Sequence, residues 1–66
     1  MGYKLKEWRV RRRMSQDDLA RKSGVSRATI SGLESGRRID VKTSTLLKIC
    51  EALNATVDDV FFSNGA

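Results

Sequence analysis

Apolar residues recur along this chain at spacings of three and four rather than two, which predicts helices and no strands. Leu5 and Trp8 share the inner side of a first helix over about Lys4–Arg13, with Arg12 at its edge and Met14 closing onto the core. Ser15 opens a second helix, its hydroxyl able to accept from the free amides of the first turn. Asp17 and Asp18 follow at the positive end of the helix dipole. Ser15-Gln16-Asp17-Asp18 is nearly a capping box, although that motif prefers Glu or Gln at its last position. Leu19 and Ala20 face inward, and Gly24 ends the helix where positive φ is needed.

Only Val25 separates Gly24 from Ser26, a second N-cap, so a third helix runs from Arg27 to Ser35 and Gly36 closes it. Leu46, Ile49, Cys50 and Leu53 mark the apolar face of a fourth helix over Thr43–Leu53, which either Asp40 or Thr43 can cap. Asn54 can take the left-handed conformation at its end. Thr56 caps a short fifth helix from Val57 to Phe61 or Phe62, and residues 63–66 read as a frayed tail. The fold class that follows is all-α: one compact domain of five helices spanning residues 1–66 and ordered over about 4–62.

Helices 2 and 3, joined through Gly24-Val25-Ser26, meet the description of a helix-turn-helix, in which a tight turn containing glycine joins two steeply crossed helices. Ala20 is the small residue such a crossing needs, and Leu19, Val25, Ile30 and Leu33 are its apolar junction. At about 100° per residue, Arg27, Ala28, Ser31, Gly32 and Ser35 fall within one arc of about 140° on helix 3. Thr29, Ile30 and Leu33 lie on the opposite, core-facing side. The outer arc therefore carries one long polar side chain, Arg27, among small residues.

Charge adds a direction to this frame. The net charge of +5 is unevenly placed: residues 1–38 hold eleven Lys/Arg against four Asp/Glu, whereas residues 39–66 hold two against four. A basic half containing the helix-turn-helix points to a polyanionic partner, although charge alone does not separate DNA from RNA or an anionic membrane. Other classes are excluded. With one cysteine and no histidine, there is neither an internal disulfide nor a credible metal ligand set. No paired acids in a cleft and no nucleotide-binding loop support an enzyme, and no cofactor or small-molecule site is evident. No apolar run approaches the roughly 20 residues of a membrane span, and no signal-peptide segment is seen, so a soluble cytoplasmic protein is expected.

Gln16 to Gly36, QDDLARKSGVSRATISGLESG, resembles the lambda-repressor/Cro type of helix-turn-helix, the xenobiotic-response-element family. The likeness extends upstream to Leu5, Arg9 and Met14-Ser15-Gln16. Downstream it takes in Leu46-Leu47-Lys48-Ile49, Ala52-Leu53 and Val57-Asp58-Asp59-Val60-Phe61. Two positions depart from the family pattern: the loop Arg37–Lys42 lacks the common proline, and Gly32 stands where a longer side chain is frequent.

The resemblance implies a transcriptional regulator, most often a repressor, of prokaryotic or phage type, in which helix 3 (residues 27–35) enters the major groove of double-stranded DNA. Arg27 then reads guanine through paired donors to O6 and N7, or else holds a phosphate. Ala28 can touch a thymine methyl and Gly32 can let the backbone approach the bases, unless both are simply permissive solvent positions. Ser31 completes the base-facing set. Phosphate contacts are expected from Gln16, Ser26, Ser35, Arg37, Arg38 and Arg9. The family pairing of a helix 1 arginine with a helix 3 glutamate maps onto Arg9 and Glu34, a structural tie that also aims the arginine at phosphate. The run Arg11-Arg12-Arg13 is expected to raise nonspecific affinity or to be solvated.

A pseudo-palindromic operator is read by two copies with half-sites about 34 Å apart, so a homodimer is expected. Leu47, Phe61 and Phe62 are its candidate surface, with Phe62 off the inward stripe of Val57, Val60 and Phe61. The alternative function is an antitoxin or protein-interaction module of the same fold. Cys50 reads as a small core hydrophobe, with redox sensing as its alternative.

Overall fold

Helix boundaries in this chain are set by local capping chemistry, which the structure, a computed structural model, displays over residues 3–37 and 41–62, the last by its backbone alone. The helices are α1 (Leu5–Arg11), α2 (Gln16–Ser23), α3 (Arg27–Ser35), α4 (Thr43–Leu53) and a final π-type turn, α5 (Asp58–Phe62). The described residues contain no strand.

Ser15 caps α2 through a complete capping box: its Oγ accepts from the Asp18 amide at 3.0 Å, and its own amide donates to Asp18 Oδ2 at 2.9 Å. Aspartate thus closes a motif that usually takes a longer acid. Gly24 ends α2 at φ +76, and Gly36 ends α3 at φ +83, both in the left-handed region that favours glycine. Ser26 caps α3, its Oγ accepting from the Thr29 amide at 3.2 Å. Thr56 and Asp59 form a second reciprocal box ahead of α5.

Apart from one-residue shifts at the starts of α1 and α5, two helix ends differ from the sequence-based expectation. α1 stops at Arg11 rather than Arg13. Arg13 takes φ +58, while its amide returns to Val10 O at 2.9 Å and that of Met14 returns to Arg9 O at 3.0 Å. That is the Schellman bonding pattern with arginine in the place normally given to glycine, at a cost of about 1–2 kcal/mol for the left-handed backbone. At α4 the N-cap is Lys42, which makes no side-chain cap bond, so Thr43 is the first helical residue and not the cap. Asp40, the other candidate cap, lies outside the described residues, as do Arg38 and residues 63–66. Asn54 ends α4 at φ +53, as its side chain permits.

The core is drawn from every helix: Leu5, Leu19, Ile30, Leu33, Ile49, Leu53 and Val60 are all but fully buried. α2 packs on both α3 and α4, and α1 touches α3 and α5. Leu46 and Trp8 are half-buried around this centre rather than within it.

The arginine run is structural rather than merely solvated. Arg12 donates from Nε to Leu53 O at 2.8 Å and from Nη2 to Asn54 O at 3.2 Å, satisfying carbonyls left unpaired at the end of α4. A cation at the negative end of that helix is also favoured by its dipole. The guanidinium carbons of Arg11 and Arg12 lie 4.5 and 5.3 Å from the Trp8 ring centre, and Trp8 Nε1 donates to Asp59 O at 3.3 Å. Helix α1 is thereby fastened to the end of α4 and to α5.

A candidate nucleic-acid interface

The turn that presents α3 is fixed from inside. Ser23 is buried, and its Oγ accepts from the Val25 amide at 3.1 Å. That bond holds the chain between α2 and α3 in one path while Val25 packs into the core. Ile30 and Leu33 then lock the inner side of α3. Only the outer side of the helix remains open.

A second anchor comes from Glu34, whose side chain is 6% exposed against 12% for Arg9. Arg9 donates from Nε to Glu34 Oε2 at 2.7 Å and from Nη2 to Oε1 at 3.2 Å, a two-pronged pair. Its Nη1 donates to Met14 O at 2.6 Å. Gln16 Nε2 donates to Glu34 Oε1 at 3.1 Å, the amide orientation required by a carboxylate that can only accept. Three helices converge on one carboxylate.

This geometry displays the structural half of the role expected of Arg9. Three of its guanidinium donors are engaged by Glu34 and Met14, so Arg9 ties α1 to the recognition helix. Gln16 has likewise committed its side-chain donor to Glu34.

On the open face, Arg27, Ala28, Ser31 and Arg37 line one shallow depression. Arg27 is 65% exposed. Gly32 departs from expectation: it is buried, so its backbone is not open to a base in this conformation. Ser35 gives its proton to Gly32 O at 3.2 Å and accepts from Arg37 Nε at 3.0 Å. Ser26 gives its proton to Thr29 Oγ1 at 2.9 Å. Ser26 acts as the cap of α3, Ser35 bonds locally at its end, and both residues remain exposed. Thr29 is half-buried and sits beside a second concavity instead of in the core.

Sequence reasoning overlooked two features of this surface. Asp17 Oδ1 lies 3.4 Å from Arg27 Nε, an ion pair between α2 and the head of α3. A basic cleft also runs from Gly24, Ser26 and Thr29 to Lys42, Thr45 and Lys48. The second was signalled by spacing, since residues 42, 45 and 48 recur every three positions and share a helix face. The first was not, because it depends on how α2 crosses α3.

Two groups of the domain have shifted acidities. The Asp18 carboxyl lies below its ordinary value because the Ser15 amide and then the Ser15 hydroxyl bond its charged form, with Arg21 adding attraction. Burial, and then the Asp59 charge, push the Cys50 thiol up, which keeps it protonated and unreactive.

The helix-turn-helix family model matches residues 5–60, nearly the whole chain. This chain belongs to that helix-turn-helix family, of xenobiotic-response-element type. The family is one of DNA-binding regulators and not of enzymes, and the all-helical fold fits it. The chain is 38% identical over 61 residues to an uncharacterised HTH-type transcriptional regulator of Methanocaldococcus jannaschii, covering 92% of this chain and 91% of that one. It is 41% identical over 64 residues to the uncharacterised HTH-type transcriptional regulator YgzD of Bacillus subtilis, covering 94% and 92% respectively. The HTH-type transcriptional repressor RghR of Bacillus subtilis is 36% identical over 64 residues, 97% of this chain but 47% of RghR. Among the described residues of this helix-turn-helix protein, no helix is long and apolar enough to cross a membrane.

Proposed function

We propose that this protein is a sequence-specific regulator, acting as a repressor, that lays α3 in the major groove of double-stranded DNA and binds a pseudo-palindromic operator as a homodimer. The observation that carries the reading is the one-sided fixing of α3. Ile30, Leu33 and Glu34 hold it from within, while Arg27, Ala28, Ser31 and Arg37 share the open depression outside. Arg27 is the base reader, through its terminal nitrogens to guanine, with Ala28 and Ser31 beside it. Arg37, Arg38 and the amides at the head of α2 near Gln16 meet phosphates, where free N–H groups and the helix dipole favour an oxyanion. Gly32 contributes through close packing rather than contact. Repression is supported by the name of one relative, a transcriptional repressor.

For the homodimer, Leu47 is the supporting residue, being 53% exposed on the outer side of α4. Phe61 is withdrawn from that surface: it is 7% exposed and its ring meets Tyr3 edge-on at 4.8 Å. The side chain of Phe62 lies outside the described residues. The expected place of action is the cytoplasm, on the chromosome.

The test is selection of duplexes from a random pool, followed by affinity for the selected and a scrambled site at several salt concentrations. A preference of about 10³-fold or more for the selected site, with affinity falling steeply with salt, supports the regulator. Equal, weak binding to both duplexes would favour a protein-interaction module.

A further inference from the structure

The acidic pair at the head of α2 is divided between two tasks. Asp18 completes the capping box with Ser15 and pairs with Arg21 at 2.6 Å. Asp17 takes no part in that box. Its carboxylate instead approaches Arg27, the first residue of α3, with both side chains 65% exposed. An acid on a face meant for DNA is a liability for affinity, because it can only accept hydrogen bonds and repels phosphates.

The atom that Asp17 meets matters. The contact is to Nε, the inner nitrogen of the guanidinium. Guanine recognition uses a pair of parallel donors at the edge of the guanidinium, and the shortest approach of Asp17 to Arg27 is at the inner nitrogen rather than at that terminal pair. An acid beside Nε therefore leaves the terminal pair available to a base and biases the direction in which it points, by the modest amount an exposed ion pair supplies. An unheld arginine loses rotamer freedom when it reads a base, and can equally swing to a phosphate.

Resting on the assignment of Arg27 as base reader, we infer that Asp17 is a positioning and specificity residue. It holds the Arg27 fork toward a base edge, and its negative charge penalises the alternative in which Arg27 settles on the phosphate backbone. Asp17 thus trades overall affinity for discrimination.

The experiment uses the full chain and duplexes selected from a random pool. A position whose base preference disappears in Arg27→Ala is identified first. Affinities for duplexes differing only there are then measured for wild type, Asp17→Asn, Asp17→Glu and the double variant Asp17→Asn/Arg27→Ala, with helicity and thermal midpoint checked for each. Asp17→Asn is expected to lower discrimination at that position by about three- to tenfold, a part of the roughly five- to 150-fold that a paired guanine contact supplies. It should bind scrambled DNA as tightly as wild type or more so. Asp17→Glu should retain most of the discrimination, and Asp17→Asn should change nothing in the Arg27→Ala background.

If Asp17→Asn tightens all duplexes alike, Asp17 only repels DNA and the inference fails while the reading of Arg27 stands. The inference fails in the same way if discrimination is unchanged, or falls equally without Arg27. If Arg27→Ala removes no preference at any position, both the inference and the assignment of Arg27 fail together.

Discussion

Truncating either end of the Arg9–Glu34 pair tests how the recognition helix is held. Both side chains are nearly buried, at 12% and 6% exposure, so removing one leaves a charge with little access to water. Breaking such a pair typically costs 3–5 kcal/mol. The lower end, about 3 kcal/mol, applies here because Gln16 still bonds Glu34 when Arg9 is lost. A domain of 66 residues is stable by roughly 3–10 kcal/mol at about 0.05–0.15 kcal/mol per residue. Arg9→Ala therefore consumes much of the total, and Glu34→Ala, which strands both Arg9 and Gln16, at least as much. Urea unfolding followed by far-UV circular dichroism should show the midpoint falling by roughly 3 M for a slope near 1 kcal/mol/M.

The informative control is an apolar replacement of the pair, Arg9→Met with Glu34→Leu. It removes both charges at once and strands the Met14 carbonyl that Arg9 bonded and the half-buried Gln16 amide that bonded Glu34, so stability should lie within about 1 kcal/mol of wild type. The same variant should keep its affinity for DNA and the salt dependence of that affinity. Single variants within about 0.5 kcal/mol of wild type, or an apolar pair as unstable as the two single losses combined, would show that the pair does not anchor α3 in this way. A salt slope reduced by about one would place Arg9 among the phosphate contacts.

Three further outcomes are expected. Arg13→Gly relieves the left-handed backbone at the end of α1 and should stabilise by about 1 kcal/mol, raising Tm by roughly 4–8 °C; an unchanged Tm would mean that the turn carries no strain. Because the Asp18 carboxyl is lowered in the folded state, its contribution to stability is complete above its ordinary value of 3.8 and fades as pH falls through the lower folded value. Asp18→Asn should accordingly flatten the acid limb of a stability–pH profile below about pH 4, and an unaltered limb would contradict the capping argument. Leu47→Glu should shift sedimentation from dimer toward monomer and weaken binding to a two-half-site duplex, whereas an unchanged dimer would remove Leu47 from the interface.

Much of the fold was legible because its punctuation is local. Ser15, Ser26 and Thr56 each cap the helix that follows them, and Gly24, Gly36 and Asn54 each end the one before. Nothing at Arg13 announces a stop. Its positive φ is imposed by closure of Met14 back onto Arg9, a gain that propensity does not record. The open face of α3 was readable from its wheel at Arg27, Ala28 and Ser31, but Gly32 lies at the arc's edge, where neighbouring chain decides burial.

Hydrogen-bond partners were less accessible than faces. Arg9 and Glu34 were paired through a family likeness, yet only three-dimensional contact shows Gln16 on the same carboxylate and Met14 O on the arginine. Phe61 belonged to an inward stripe with Val57 and Val60, and the Tyr3 ring seals that choice against an exposed role. The Asp17–Arg27 approach spans two helices, so no spacing rule within either helix could announce it.

Whether α3 reads base sequence through Arg27 is decided by comparing Arg27→Ala with Arg37→Ala on the selected and scrambled duplexes across a salt series. Arg27→Ala should collapse the preference for the selected site by roughly five- to 150-fold while nonspecific affinity changes little. Arg37→Ala should weaken both duplexes alike and lower the salt slope by about one. A selected-to-scrambled ratio left intact by Arg27→Ala would mean that sequence is read elsewhere on the protein.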